Sequence, residues 1–173
     1  MYLESSHPDY DSNKSAVFVV AVTSADVHPH IVTLPDDGFV IFYPAPLLNP
    51  SKNYIWQRKF NKSGSGYVSS AKLKISDSIV EAGVKIYSSM RHASDLFWLV
   101  WQDITGQKIY GHKFDKFGYP QGGQKLFLNR PTGGLELYGA SSSVDTSDDV
   151  YIMYKETEYR AEKTFIARYV RGE

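Results

Sequence analysis

A repeated aromatic position with polar neighbours is the feature of this chain best suited to binding chemistry. Trp56, Tyr110 and Phe165 occupy that position, two residues before Arg58, His112 and Ala167 and four before Phe60, Phe114 and Tyr169. Flat rings beside polar rims can stack on sugars, but rings kept in every copy also serve the packing of repeated units against one another. Recurrence in all three copies favours packing for Trp56, Tyr110 and Phe165. Arg58 and His112 vary between copies, so they are expected to face ligand or solvent rather than core. Lys59, Lys113 and Arg168 keep a cation throughout, which fits a solvated position or one that bridges neighbouring units. Tyr67 and Tyr119 follow equivalent glycines at hairpin tips, where an exposed ring makes contacts, and Trp101 and Asp103 close the apolar strand of the second copy. Arg58, His112, Trp101, Asp103, Tyr67 and Tyr119 are therefore the candidate ligand contacts.

The acidic residues invite a second chemistry. Asp36, Asp37, Asp95, Asp148 and Asp149 fall in matching turns, and a ring of carboxylates on one rim can bind calcium or act as a paired acid and base. An Asp that caps its own turn explains the same pattern more simply. His28-Pro29-His30 has no neighbouring acids or further histidines, so it reads as the start of a strand rather than a ligand pair. No G-x-S-x-G, H-E-x-x-H, phosphate loop or dinucleotide fingerprint occurs. No catalytic residue, no metal site and no cofactor is expected.

The elements that position these residues come from an internal repeat. Ile55-Trp56-Gln57-Arg58-Lys59-Phe60-Asn61-Lys62 matches Ile109-Tyr110-Gly111-His112-Lys113-Phe114-Asp115-Lys116, and Thr164 to Arg171 is a third copy. Phe60, Phe114 and Tyr169 recur 54 and 55 residues apart. Each copy is a period-2 strand. A continuously apolar strand precedes each: Phe39 to Tyr43, Phe97 to Trp101 and Val150 to Tyr154, all expected to be covered on both faces. Before each of these, beyond a turn rich in Asp or Gly, lies a short strand: His30 to Thr33, Val84 to Ser88 and Tyr138 to Ser142. A hairpin then leads to a fourth strand, Val68 to Ile75 in the first copy and Gln124 to Leu128 in the second, with Gly122-Gly123 in the connection. The third copy stops at Glu173 without its fourth strand, and Ala16 to Val22 supplies a spare one. No helix is expected.

The fold class is thus all-β: three four-stranded blades of β-propeller type, over residues 16–173, behind a flexible polar segment at 1–15. The repeats run about 16–60, 68–114 and 124–169, permuted by one strand. Propellers close with about four to eight blades, so three blades leave bare faces and a bare edge. Two chains that exchange their N-terminal strands complete six blades, which makes a homodimer the expected assembly; a fragment of a longer propeller is the alternative.

The second copy carries a family resemblance. Leu99-Val100-Trp101-Gln102-Asp103, Ile109-Tyr110-Gly111-His112-Lys113-Phe114-Asp115, Gly118, Gly122-Gly123 and Asn129 resemble a repeat of bacterial surface and secreted proteins. That repeat runs V-W-x, I-Y-G-Q-R-F-D, G, G-G and N. The likeness is strongest over residues 96–129; the first copy has Gln57 in place of the Gly and lacks the Gly-Gly pair. It implies a β-propeller, an adhesive or surface-binding habit, and an extracellular or cell-surface location.

Composition narrows the partners. Nineteen basic and nineteen acidic residues cancel, so the chain lacks the positive field that nucleic acid or an anionic membrane calls for, and neither is expected as a partner. Aromatics reach 14%, with Tyr the commonest, and they offer large contact area at low entropic cost. Cysteine is absent, which excludes disulfides, thiolate zinc sites and a cysteine nucleophile. Met1 to Ser15 is polar and has no apolar h-region, so no signal peptide is expected there, and no apolar run approaches the ~20 residues of a membrane span. These features point to a non-catalytic, lectin-like recognition module for carbohydrate or surface adhesion. A protein-interaction scaffold and a glycoside hydrolase-like propeller are the alternatives.

Overall fold

The computed structural model describes residues 28–46, 52–61, 73–81, 83–90, 96–130, 133–142, 149–158 and 161–169. Among these residues every regular element is a strand and every strand pairing is antiparallel. The first sheet has the order β1 (His30–Thr33), β2 (Phe39–Pro46), β3 (Asn53–Phe60), β4 (Leu73–Lys74). The second repeats it as β5 (Ile86–Met90), β6 (Leu96–Gln102), β7 (Lys108–Asp115), β8 (Pro120–Asn129). Three strands of the third are described: β9 (Gly134–Ser142), β10 (Val150–Glu158) and β11 (Ala161–Tyr169), with β10 in the middle. The strand expected over Ala16 to Val22 lies outside the described residues, as does Tyr67.

Each sheet follows the chain, strand pairing with its sequence neighbour, because short turns favour hairpins. In the turn before β2 the Gly38 N–H donates to Asp36 Oδ1 at 3.2 Å, and Asp37 takes φ 60°, a conformation Asp tolerates better than most residues. After β7 the Asp115 carboxylate accepts the N–H groups of Phe117 and Tyr119, both at 2.9 Å. Gly122-Gly123, expected in the hairpin connection, lie instead within β8. There the pairing with β7 slips by two residues and Gly122 takes φ +74°, so the pair forms a bulge opposite His112 rather than a loop.

The sheets stack face to face. Val40, Phe42 and Ile55 of the first sheet pack on Phe97, Leu99, Trp101 and Phe114 of the second. Phe42 meets Phe114 edge-on at 5.1 Å, and Phe97 stacks on Phe114 at 5.1 Å. The opposite face of the second sheet, through Trp98, Val100 and Ile109, packs on Leu135, Leu137, Ile152 and Tyr154 of the third. A third cluster, with Ile41, Tyr43, Trp56 and Phe60, lies on the far face of the first sheet. Both faces of β2 and β6 are buried, as their unbroken apolar runs anticipate. For β10 that expectation fails. Ile152 and Tyr154 are buried but Met153 is 42% exposed, because among the described residues only one face of the third sheet has a neighbouring sheet.

The first strands of the three sheets lie side by side. His30 Nε2 meets Ser88 Oγ at 2.7 Å, joining β1 to β5, and the Tyr87 hydroxyl donates to the Leu137 carbonyl at 3.3 Å, joining β5 to β9. The described sheets do not close into a ring.

Candidate functional site

Polar chemistry concentrates in the seams between sheets. In the first seam β3 turns Ile55, Gln57 and Lys59 towards the second sheet, since these residues alternate with Trp56, Arg58 and Phe60 on the strand. The Gln57 amide donates to the Gly118 carbonyl at 2.6 Å, and Lys59 Nζ stands 4.4 Å from the centre of the Tyr119 ring. Gln124 Oε1 accepts from the Asp77 N–H at 2.8 Å and the Ser78 N–H at 3.2 Å. The second seam is fastened by Gln102. Its amide donates to the Leu135 carbonyl and accepts from the Leu137 N–H, so one side chain imitates one rung of a β-ladder. Gln57, Gln102 and Gln124 are thus amide stitches between neighbouring sheets.

His112 sits in the first seam, on the face of β7 that meets the first sheet. It is 7% exposed, its ring lies 5.2 Å from that of Phe114, and neither ring nitrogen makes a well-formed hydrogen bond. Burial pushes its pKa below the usual 6.5, against which the nearby backbone of Ile75 and Gly122 and the charge of Asp77 favour the cation. His30 is lowered as well, by burial alone.

The second seam opens at one end into a cleft of about 280 Å³, lined by Glu81, Lys85, Gln102, Asp103 and Glu136 with Val84 and Leu135 at its apolar side. Asp103 spends both carboxylate oxygens on its own turn, accepting from the Thr105 hydroxyl at 2.9 and 2.8 Å and, through Oδ1, from the N–H groups of Gln107 and Lys108. Glu136 accepts from the Tyr138 hydroxyl at 2.9 Å. The Tyr87 hydroxyl near this cleft has its pKa raised, chiefly by burial and then by Glu136.

The sequence candidates are therefore dispersed. His112 and Tyr119 share the first seam with Gln57 and Lys59, whereas Asp103 belongs to the cleft in the second. Arg58 lies on the far face of the first sheet, with its guanidinium 5.6 Å from the Phe60 ring centre. Trp101 is completely buried between the first two sheets and donates its indole N–H to Ser78 Oγ at 3.2 Å, so it offers a ligand no surface. His112 also departs from expectation, since the stacked first sheet covers the face that variation between copies suggested was open. Tyr119, at 50% exposed, does present a ring at the hairpin tip. Packing accounts for the recurrent aromatics: Tyr110 stacks on Trp101 at 6.4 Å and Phe165 on Tyr154 at 5.5 Å, while the Trp56 indole donates to the Ala45 carbonyl at 2.8 Å. Among the described residues no three His, Asp or Glu side chains gather to hold a metal ion.

Glu81, Lys85 and Glu136 were not legible as cleft residues, because they sit in connections and on an outer strand face without any repeated pattern. Gln57 did carry a signal, as the residue that replaces the glycine of the second copy. No family model, curated protein or solved structure matches the chain.

Proposed function

We propose that this protein is a non-catalytic recognition module of β-propeller type that binds carbohydrate in the cleft between the second and third sheets. The observation that carries the reading is the lining of that cleft: carboxylates, an ammonium and peptide groups around about 280 Å³, near the lower end of the range for ligand pockets. Alternating acceptors and donors on stitched turns suit a hydroxyl-rich ligand. The engagement of both Asp103 oxygens in their own turn argues against a free acid and base pair. The likeness of the second copy to bacterial surface repeats supports the same role. A glycan array followed by titration calorimetry tests it. Binding is expected to weaken at least tenfold in Glu136→Ala and Lys85→Ala with the unfolding midpoint little changed. Absence of binding to any glycan at millimolar concentration overturns the reading, and capture of a protein that ignores sugars favours the interaction-scaffold alternative.

The assembly we propose is a homodimer in which two three-bladed chains complete a six-bladed ring by N-terminal strand exchange. Its support is Ile166. In the repeat it stands where Gln57 and Gly111 stand, and both of those are buried between sheets, yet Ile166 is 74% exposed. Met153 on the neighbouring strand is exposed with it. A further sheet over this face supplies the cover that the other two positions already have. Light scattering at micromolar concentration is expected to give twice 19.6 kDa, and a monomer refutes the dimer.

A further inference from the structure

We propose that the joint between the first and second sheets is an acid-labile hinge, closed at neutral pH and released when His112 and His30 take up protons. The two histidines hold opposite ends of one seam. His30 joins the adjacent first strands β1 and β5, and His112 lies beside Ile75 and Asp77, which follow β4. Of the described histidines only His28 lies outside this seam; the seam between the second and third sheets contains none.

The charged surroundings of His112 decide how its proton is received. From β3 the nearest cation is Lys59, 8% exposed and directed to Tyr119; from the segment after β4 comes Asp77, which pairs with Lys74 at 3.5 Å. From β6 and β7 the neighbours are apolar, and β8 offers the backbone of Gly122. Asp77 is mostly exposed, so water screens it, and burial outweighs its attraction. At His30 no charged group alters the balance. Its bond to Ser88 survives protonation with Nε2–H as donor, leaving burial as the penalty.

Both pKa values are lower in the closed form than the ordinary 6.5, so the open form binds more protons between those values. The seam is therefore tightest above pH 6.5 and weakens as pH falls towards the closed-form pKa values. Each histidine shifts the closed-to-open equilibrium by up to about tenfold per pH unit in that window, and the pair by up to about a hundredfold.

The tryptophans report the two seams separately. Trp101 is in the first and bonded across it to Ser78, and Trp98 is in the second. With 5-fluorotryptophan incorporated into the unaltered chain, the ¹⁹F resonance of Trp101 is expected to move reversibly between pH 7.5 and 5 while that of Trp98 stays. His112→Leu, which removes the titrating ring and keeps an apolar filling, is expected to lessen the Trp101 response by about tenfold per pH unit. Simultaneous movement of both resonances, or none above pH 4.5, overturns the hinge. Should the variant not fold, the imidazole titrations of the unaltered chain decide: a His112 pKa at or above 6.5 overturns the proposal, and one below it together with the Trp101 shift upholds it.

Discussion

Gly118 and Gly122 have nearly the same backbone angle, φ +78° and +74°, but very different surroundings. A Cβ on Gly118 would come within 2.6 Å of Val40 Cγ2, itself fully buried in the first seam. A Cβ on Gly122 would meet nothing within 4 Å. Left-handed backbone costs a side chain about 1–2 kcal/mol, and crowding a packed core adds about 1–3 kcal/mol. Gly118→Ala is therefore expected to lose about 2–5 kcal/mol in urea unfolding, and Gly122→Ala only about 1–2 kcal/mol. Equal losses would mean that the hairpin moves away from Val40 at little cost. Gly111 makes a related point: its missing side chain leaves the space that the Phe127 ring fills, and the equivalent Gln57 uses the same direction to reach Gly118.

At the scale of strands and sheets, the seams depend on single amides. Gln102→Leu keeps the volume of the side chain but leaves the Leu135 carbonyl and Leu137 N–H without the partner they share. Such a loss costs about 1–3 kcal/mol for each buried group left unsatisfied, and the unfolding midpoint is expected to fall accordingly. An unchanged midpoint would mean that water replaces both bonds. Gln102→Glu is expected to do no better, since a carboxylate cannot donate to the Leu135 carbonyl. These elements show what the sequence makes legible. The apolar runs at β2 and β6 and the recurring aromatic of β3, β7 and β11 announce strands, because period and hydrophobicity are local properties. The burial of His112 was not legible, because it depends on which face another sheet covers, and that sheet is built from residues far back along the chain. The Gly122-Gly123 bulge looked like a loop for a similar reason: two glycines signal irregular backbone without saying whether the ladder continues beyond them.

For the whole molecule, the proposed association rests on the exposed face of the third sheet, where Met153 and Ile166 lie. Ile166→Asp places a charge where the proposed partner sheet packs, so it is expected to convert dimer to monomer and to abolish the concentration dependence of the melting temperature. Analytical ultracentrifugation across a hundredfold dilution reads the first and thermal melts at the same concentrations the second, and a variant that remains dimeric moves the interface elsewhere. The order of the strands has a separate consequence. In each sheet, every described strand pairs with the one made just before or after it, whereas the links between sheets span longer stretches, such as the 61 residues from Gln57 to Gly118. During synthesis the hairpins of the first sheet can close while the second is still inside the ribosome, at a few residues per second to about twenty. Its Val40 and Phe42 face must then wait for Phe97 and Phe114 to emerge. Nascent chains on one messenger thus pass through an interval of shared stickiness, in which a neighbour's second sheet competes with the chain's own, and slower translation between β4 and β6 lengthens that interval.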